Sequence, residues 1–383
     1  MNMHPKTLVV SIFLILLCSG LAFADDVIKI GFNAPLTGFA AADGKSSSEG
    51  AKLAVSQINN SGGVLGKKLE LVVYDDQANP SQAITIANKL IGKDKIVAGV
   101  SGSYSGPTRS AAGVFQGAGI PYISAYAIHP DITRAGNFVF RTGLLGNVQG
   151  KAGAKLIGEL MGKKKVVLIT MQNDFGSSLA AGFREVASKF GIEVVNEYQY
   201  SMKDRQFGAI VAKVKADAPE VIYASGYYFN CGPLVSQLRA GGVTAPVVGQ
   251  EGYDGQKFIE IAGDAAEGVI ITTTLDRDST EPETHDFIQA FEAQAGFPAD
   301  MVSSCAHTAV KLIAAAIEKA GSTEPDKIRQ AINEISLKAS TGTIRFNPLG
   351  EVVKPVQIQI VKDGRWHHYA VIDDPVLLAP PVK

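Results

Sequence analysis

The chain has 383 residues, with 36 Lys and Arg against 37 Asp and Glu and a formal net charge of −1. So even a balance leaves no basic surplus to hold nucleic acid or anionic lipid. The length exceeds what one hydrophobic core usually carries, so two domains are expected.

Residues 1–24 read as an export signal. Lys6 gives a positive start, residues 8–17 form an apolar core, and Ala22-Phe23-Ala24 makes a small-residue cleavage site. The residue before Cys18 is Leu17, not the small residue that lipid attachment needs. Cleavage after Ala24 leaves 359 of the 383 residues and removes Lys6, which moves the charge from −1 to −2. That apolar core is about half the roughly 20 residues of a membrane span, and no later stretch approaches that length. A soluble, periplasmic mature chain is expected. Cys231 and Cys305 remain in it, far apart in sequence, and are read as two small buried thiols rather than a bridge.

From residue 27 onward, short apolar runs alternate with amphipathic segments of helical length. Strand 27–32, helix 46–59, strand 69–74, helix 81–91, strand 96–100, helix 106–116 and strand 122–124 form the first series. After a run at 138–142 a second begins, with helix 149–161, strand 165–170, helix 177–190, strand 193–199 and further alternation to about 274. Two series of βαβ rhythm predict an α/β protein with two doubly wound parallel-sheet lobes. Beyond residue 276 come three helices, 283–295, 302–320 and 326–335, then strands at 343–346, 356–361 and 366–371. A helical block without its own strands must pack back on a sheet.

Open parallel sheets bind ligands outside the carboxyl ends of their strands. That directs attention to the loops at 33–45, 101–107, 125–130, 171–176, 226–232 and 249–254, most of them rich in Gly, Ser and Tyr. The run 38–46, GFAAADGKS, imitates a phosphate-binding loop, but five residues separate Gly38 from Gly44-Lys45 where the pattern needs four, so it is read as a flexible ligand-side loop. Gly99-Val100-Ser101-Gly102-Ser103 lacks the last glycine of a nucleophile elbow. No histidine or cysteine has metal-ligand or C-x-x-C spacing. No enzyme, cofactor or metal site is expected.

The run 58–71, INNSGGVLGKKLEL, is followed by Val72-Val73-Tyr74-Asp75-Asp76, Pro80 and Ala83. Gly119-Ile120-Pro121, Pro130-Asp131-Ile132-Thr133, Gly226-Tyr227 and Gly249-Gln250-Glu251-Gly252 come later. Together they closely resemble the branched-chain amino-acid-binding proteins of bacterial ABC importers, of the type I periplasmic binding protein class. The resemblance implies two α/β lobes joined by three crossovers that close on a solute like a Venus flytrap. The lobes would be 27–141 with 276–353, and 142–275 with 354–383. It also implies a monomer that delivers an amino acid, branched-chain or otherwise neutral, to a permease.

On the same resemblance, Ser105 falls on the serine that holds the ligand carboxylate at a helix start, where unpaired N–H groups suit an anion. Tyr126, Ala127 and Ile128 fall on the loop that supplies backbone groups, Phe175 and Tyr227 on aromatic walls, and Glu251 on the partner of the ligand ammonium. Each also has a plainer reading: Ser105 as a helix cap, the aromatics as core, Glu251 as a solvated acid. Two positions depart from the pattern. Ile128 stands where a threonine is usual, and Asp43 stands at a site often aromatic, bringing a second negative charge to the ligand or facing water. Relatives with a first-lobe disulfide carry it where this chain has Ala78 and Tyr104. These departures leave open an amide, urea or aromatic acid as the solute, and a sensor that presents a solute to a receptor is the other class of reading.

Overall fold

The computed structural model describes residues 27–380. The expected export signal and its expected cleavage site after Ala24 lie outside the described residues. The first series folds as β1 (Ile28–Ala34), α1 (Ala41–Asn60), β2 (Leu69–Asp75), α2 (Pro80–Lys89), β3 (Ala98–Ser101), α3 (Ser105–Ala118), β4 (Tyr122–Ser124) and β5 (Val139–Arg141). Its strands make an all-parallel sheet in the order β2-β1-β3-β4-β5. Such strands are covered on both faces and run apolar without alternation; all four residues of β3 are buried.

The second series gives α4 (Gly146–Lys155), β6 (Lys165–Met171), α5 (Asp174–Ala187), β7 (Glu193–Tyr200), α6 (Gly208–Asp217), β8 (Val221–Ala224), α7 (Tyr228–Ala240), β9 (Val247–Gln250), α8 (Gln256–Ala262) and β10 (Ile270–Thr273). The remainder forms α9 (Pro282–Ala295), α10 (Met301–Ala320), α11 (Pro325–Asn333), β11 (Leu337–Ala339), β12 (Gly342–Ile344), β13 (Val356–Lys362) and β14 (Arg365–Ile372). A seven-stranded sheet runs β14-β13-β10-β9-β8-β6-β7. Its five strands from β10 to β7 are parallel, whereas β13 and β14 add an antiparallel edge hairpin that the helix–strand rhythm does not announce. The short hairpin β11–β12 stands apart, and β11 had no signal in the sequence pattern.

The helical block packs back on the first sheet, with α10 against α1 and β3. The two helices touch so closely at Gly50 that an added Cβ would lie 2.1 Å from the Ser303 carbonyl oxygen. Asp300 starts α10 with a capping box, accepting from the Ser303 N–H while Ser303 Oγ reaches back. By length and composition α10 is apolar enough to cross a membrane, a stretch the sequence reading passed over; 83% of it is packed inside the protein. The chain thus passes between the two sheets after β5, after β10 and after β12.

Two expectations need correction. The run at 38–46 is not a flexible loop: a 3₁₀ turn at Gly38–Ala40 leads into α1, which starts five residues before the predicted helix. Three alanines favour helix there, and Asp43 sits in the first turn, where a negative side chain meets the positive end of the helix dipole. Gly44 has no room for a side chain, since a Cβ would lie 2.0 Å from the Pro35 carbonyl oxygen. The helix predicted at 149–161 begins earlier, at Gly146, and ends in a π-type turn at Leu156–Leu160. Cys231 and Cys305 are both free and buried.

Candidate functional site

The strands of both sheets point their carboxyl ends at one shared, partly open space with a cavity volume of about 20 Å³. Asp43 reaches it from α1, Tyr104 and Ser105 from the turn after β3, and Tyr126 and Ala127 from the turn after β4. From the other sheet come Phe175 after β6, Tyr227 after β8, and Glu251 and Gly252 after β9. Met301 and Val302, at the start of α10, close the remaining side. Seven of the eight sequence-predicted residues therefore line one cavity.

The eighth, Ile128, expected to serve through its backbone N–H alone, is not among the residues that line the cavity. Its side chain is fully buried, its N–H donates to Ser105 Oγ at 3.2 Å, and its carbonyl accepts from the Gly146 N–H at 2.9 Å. Ser105 is the first residue of α3, and the N-cap position belongs to Tyr104, with no side-chain capping bond. The Ser105 hydroxyl is thus not a cap, and it stands beside the N–H groups of the first turn of α3. Tyr126 donates its hydroxyl to the Gly102 carbonyl at 2.7 Å, which fixes its ring as a wall.

The walls meet across the cleft through aromatic rings. Tyr104 stacks on Tyr227 with centroids 4.0 Å apart and planes 9° from parallel, and Phe175 tilts against Tyr227 at 4.7 Å. Farther out, Phe39 meets Phe229 edge-on at 5.1 Å and Tyr228 donates its hydroxyl to the Phe39 carbonyl at 2.9 Å. Arg109 Nη2 lies 3.1 Å from Asp174 Oδ2. Gly252 is glycine because the backbone is crowded there: a Cβ would sit 2.2 Å from the Gly226 carbonyl oxygen.

The electrostatics separate the cavity from the rest of the interior. Six carboxyl side chains are buried among the described residues: Asp43, Asp76, Glu251, Asp254, Asp300 and Glu351. Four of them are met by at least two protein donors each. Asp76 takes Asn33 Nδ2 and the Ala78 N–H; Asp254 takes Arg277, Thr273 Oγ1 and the Met301 N–H. Asp300 takes Ser46 Oγ and the Ser303 N–H; Glu351 takes Arg141 and Thr133 Oγ1. The two that face the cavity are poorly met. Asp43 receives the Tyr104 hydroxyl at 2.7 Å, and Glu251 Oε2 has no hydrogen-bond partner among the described residues.

Burial accordingly pushes the Glu251 carboxyl up to about 8. The Gln149 amide works against that shift, the Asp254 charge adds to it, and Lys354 and Arg141 oppose it from a distance. Burial likewise pushes Asp43 up to about 7, with the Tyr104 hydrogen bond opposing and the Asp300 and Asp254 charges adding. No Lys or Arg lines the cavity among the described residues. A buried carboxylate needs a counter-charge and hydrogen bonds, so the space between Ser105 and Glu251 suits a group that brings its own cation.

Sequence reasoning missed Tyr104, Gly252, Met301 and Val302 as lining residues, and it missed the residues that set the lining in place. Arg141, fully buried, donates to the carbonyls of Ala127 and His129 (2.7 Å) and pairs with Glu351 at 2.9 Å. Arg277 pairs with Asp254 at 2.5 Å, and Asp254 in turn accepts the Met301 N–H at 2.8 Å, which seats the start of α10 against the cavity.

Comparison with known proteins agrees with this architecture. A family model described as periplasmic binding protein matches residues 27–365. A leucine-, isoleucine-, valine-, threonine- and alanine-binding protein of Pseudomonas aeruginosa is 32% identical over 86% of this chain and 88% of its own. A Leu/Ile/Val-binding protein of Rhizobium johnstonii is 34% identical over 91% and 95%. The crystal structure of a branched-chain amino acid transporter substrate-binding protein from Streptococcus pneumoniae, in complex with isoleucine, superposes with a TM-score of 0.85 at 28% identity, covering 90% of this chain and 99% of that one. With its two α/β lobes, three crossovers and a family match over most of its length, the chain belongs to the periplasmic binding protein family, whose members bind solutes.

Proposed function

We propose that this protein captures an amino acid, branched-chain or otherwise neutral, between its lobes and delivers it to the permease of an ABC importer. The observation that carries the reading is the desolvated, unpartnered Glu251 oxygen in the same cavity as Ser105 and the first turn of α3. An ammonium supplies the cation that Glu251 lacks, while a carboxylate finds the Ser105 hydroxyl and the positive end of a helix. The isoleucine in the pneumococcal structure and the amino acids in the relatives' names support the same class.

In this reading Ser105 and the backbone at Tyr126 and Ala127 hold the carboxylate, Phe175 and Tyr227 cover the ligand, and Glu251 holds the ammonium. The protein is exported after cleavage at Ala24, acts as a monomer and catalyses no reaction. The lobes are 27–141 with 276–353, and 142–275 with 354–383. An amide, urea or aromatic acid would leave Glu251 without a cation, which is why the amino acid is preferred.

Thermal-shift screening of the cleaved protein tests the reading. A ligand at 100 times its dissociation constant adds about 2.7 kcal/mol of stability, so some neutral amino acid is expected to raise the melting temperature. A shift with aromatic acids or amides, and with no amino acid, would refute it.

A further inference from the structure

The cavity holds a second acid that capture of an α-amino-acid backbone does not use. Asp43 comes from α1, its exposure is 8%, and among the described residues its carboxylate has one donor, the Tyr104 hydroxyl on Oδ2. Tyr104 is itself held by its stack on Tyr227 from the opposite lobe, so the carboxylate is fixed from both sides of the cleft. Asp43 lines the same space as Ser105 and Glu251, and among the described residues its Oδ1 receives no protein donor. The other buried acids of the first lobe, Asp76, Asp300 and Glu351, have at least two donors each, those of Asp300 both on Oδ1. A position that lacks one inside the cavity is completed by whatever fills the cavity.

We infer that Asp43, oriented by Tyr104, selects amino acids whose short side chain donates a hydrogen bond, a hydroxyl or a carboxamide, over purely aliphatic ones. The inference rests on the amino-acid reading above and narrows its ligand. With the α-carboxylate at Ser105 and the ammonium at Glu251, the side chain is left to face Asp43, Met301 and Val302. A cavity of only about 20 Å³ in this closed form favours a short one. An aliphatic side chain would seal Asp43 from water with a single donor, and a buried acceptor left unsatisfied is penalised. A hydroxyl or amide N–H supplies the missing donor, while Met301 and Val302 take the apolar part. Sites built to hydrogen-bond a substrate reject analogues that lack the group far more strongly than apolar pockets discriminate by size.

The test is calorimetric titration of the cleaved wild-type protein and of Asp43→Leu and Asp43→Asn with threonine, glutamine, leucine, valine and lysine. Circular dichroism and melting of each variant establish that it is folded, and Asp43→Asn, which keeps the shape, stands in if Asp43→Leu is not. Threonine or glutamine is expected to bind wild type at least tenfold more tightly than leucine or valine. Asp43→Leu is expected to abolish or invert that ratio, and Asp43→Asn to reduce it. Leucine or valine bound as tightly as the polar amino acids, lysine bound most tightly, or a ratio unchanged in the variants would overturn the inference and leave amino-acid capture standing. If no amino acid binds wild type, the capture reading falls and this one with it.

Discussion

Replacing Glu251 by Gln keeps the shape of the site and removes one negative charge, so it isolates the charge from the packing. In the closed cleft, burial moves this carboxyl from 4.5 to about 8, which at 1.36 kcal/mol per tenfold corresponds to about 5 kcal/mol against the charged form. The sign follows from the direction: an acid whose value is raised on closure opposes closure above 4.5, increasingly up to about 8, and by a constant amount beyond. A ligand ammonium supplies the counter-charge that relieves this penalty, and breaking such a buried pair typically costs about 2 to 5 kcal/mol of affinity. Glu251→Gln is therefore expected to weaken amino-acid binding at pH 7.5 by between about 30-fold and several thousand-fold, read by calorimetry. The same substitution removes the opposition to empty closure, so the ligand-free variant should be more compact than wild type in small-angle scattering. Binding within threefold of wild type in a folded variant would refute the reasoning.

Two further predictions concern the scaffold. Arg141→Met leaves Glu351 buried without its cation and frees the carbonyls of Ala127 and His129; urea unfolding should show a loss of about 3 to 5 kcal/mol, and a loss below 1 kcal/mol would contradict the assigned role. His307, buried on α10 with Nε2 2.8 Å from Gln57 Oε1, is held down to about 3 by burial, helped by the Lys311 charge. Its ordinary value is 6.5, so the unfolded chain binds the proton first, and stability falls as pH drops below 6.5, by about 2 kcal/mol at pH 5. His307→Gln should lose less stability than wild type between pH 7 and pH 5 in matched urea titrations; equal losses would remove His307 from the account.

What the sequence made legible depended on range. The parallel strands announce themselves because burial on both faces writes a continuous apolar run, as in β6, and the helices between them carry a one-sided stripe. Ser105, Tyr126, Phe175, Tyr227 and Glu251 were legible as loop residues at strand ends, with a family pattern to assign them. Met301 and Val302 were not, because they reach the cavity only when the Asp254 carboxylate takes the Met301 N–H, 47 residues away. Arg141 and Glu351 are 210 residues apart, and neither carries a local signal of burial. Asp43 was placed in a loop because its segment imitates one, and its burial follows from the Tyr104 hydroxyl and from the far lobe closing over it.

On the amino-acid reading, the division of charge gives a ligand the means to hold the molecule shut. The crossover chains are tied by interior polar contacts that need nothing from outside. Lys354 donates to the Thr142 carbonyl at 2.9 Å, and Arg277 holds Asp254 beside the second crossover. Among the described residues the direct contacts across the cleft are few: the Tyr104–Tyr227 and Phe39–Phe229 ring pairs, the Tyr228 hydroxyl on Phe39, the Met301 N–H on Asp254, and the part-exposed Arg109–Asp174 pair. Ring pairs contribute about 0.5 to 1.5 kcal/mol each, a net hydrogen bond about 1, and an exposed ion pair 1 or less. Their sum is comparable to the roughly 5 kcal/mol that burying an ionised Glu251 opposes, before Asp43 is counted. The empty cleft is thus balanced near opening, and a solute that brings a cation to Glu251 tips it shut. Raising the pH from 5 to 8 should open the ligand-free protein further and leave the ligand-bound form unchanged, and scattering profiles that do not change with pH in the empty protein would break this argument.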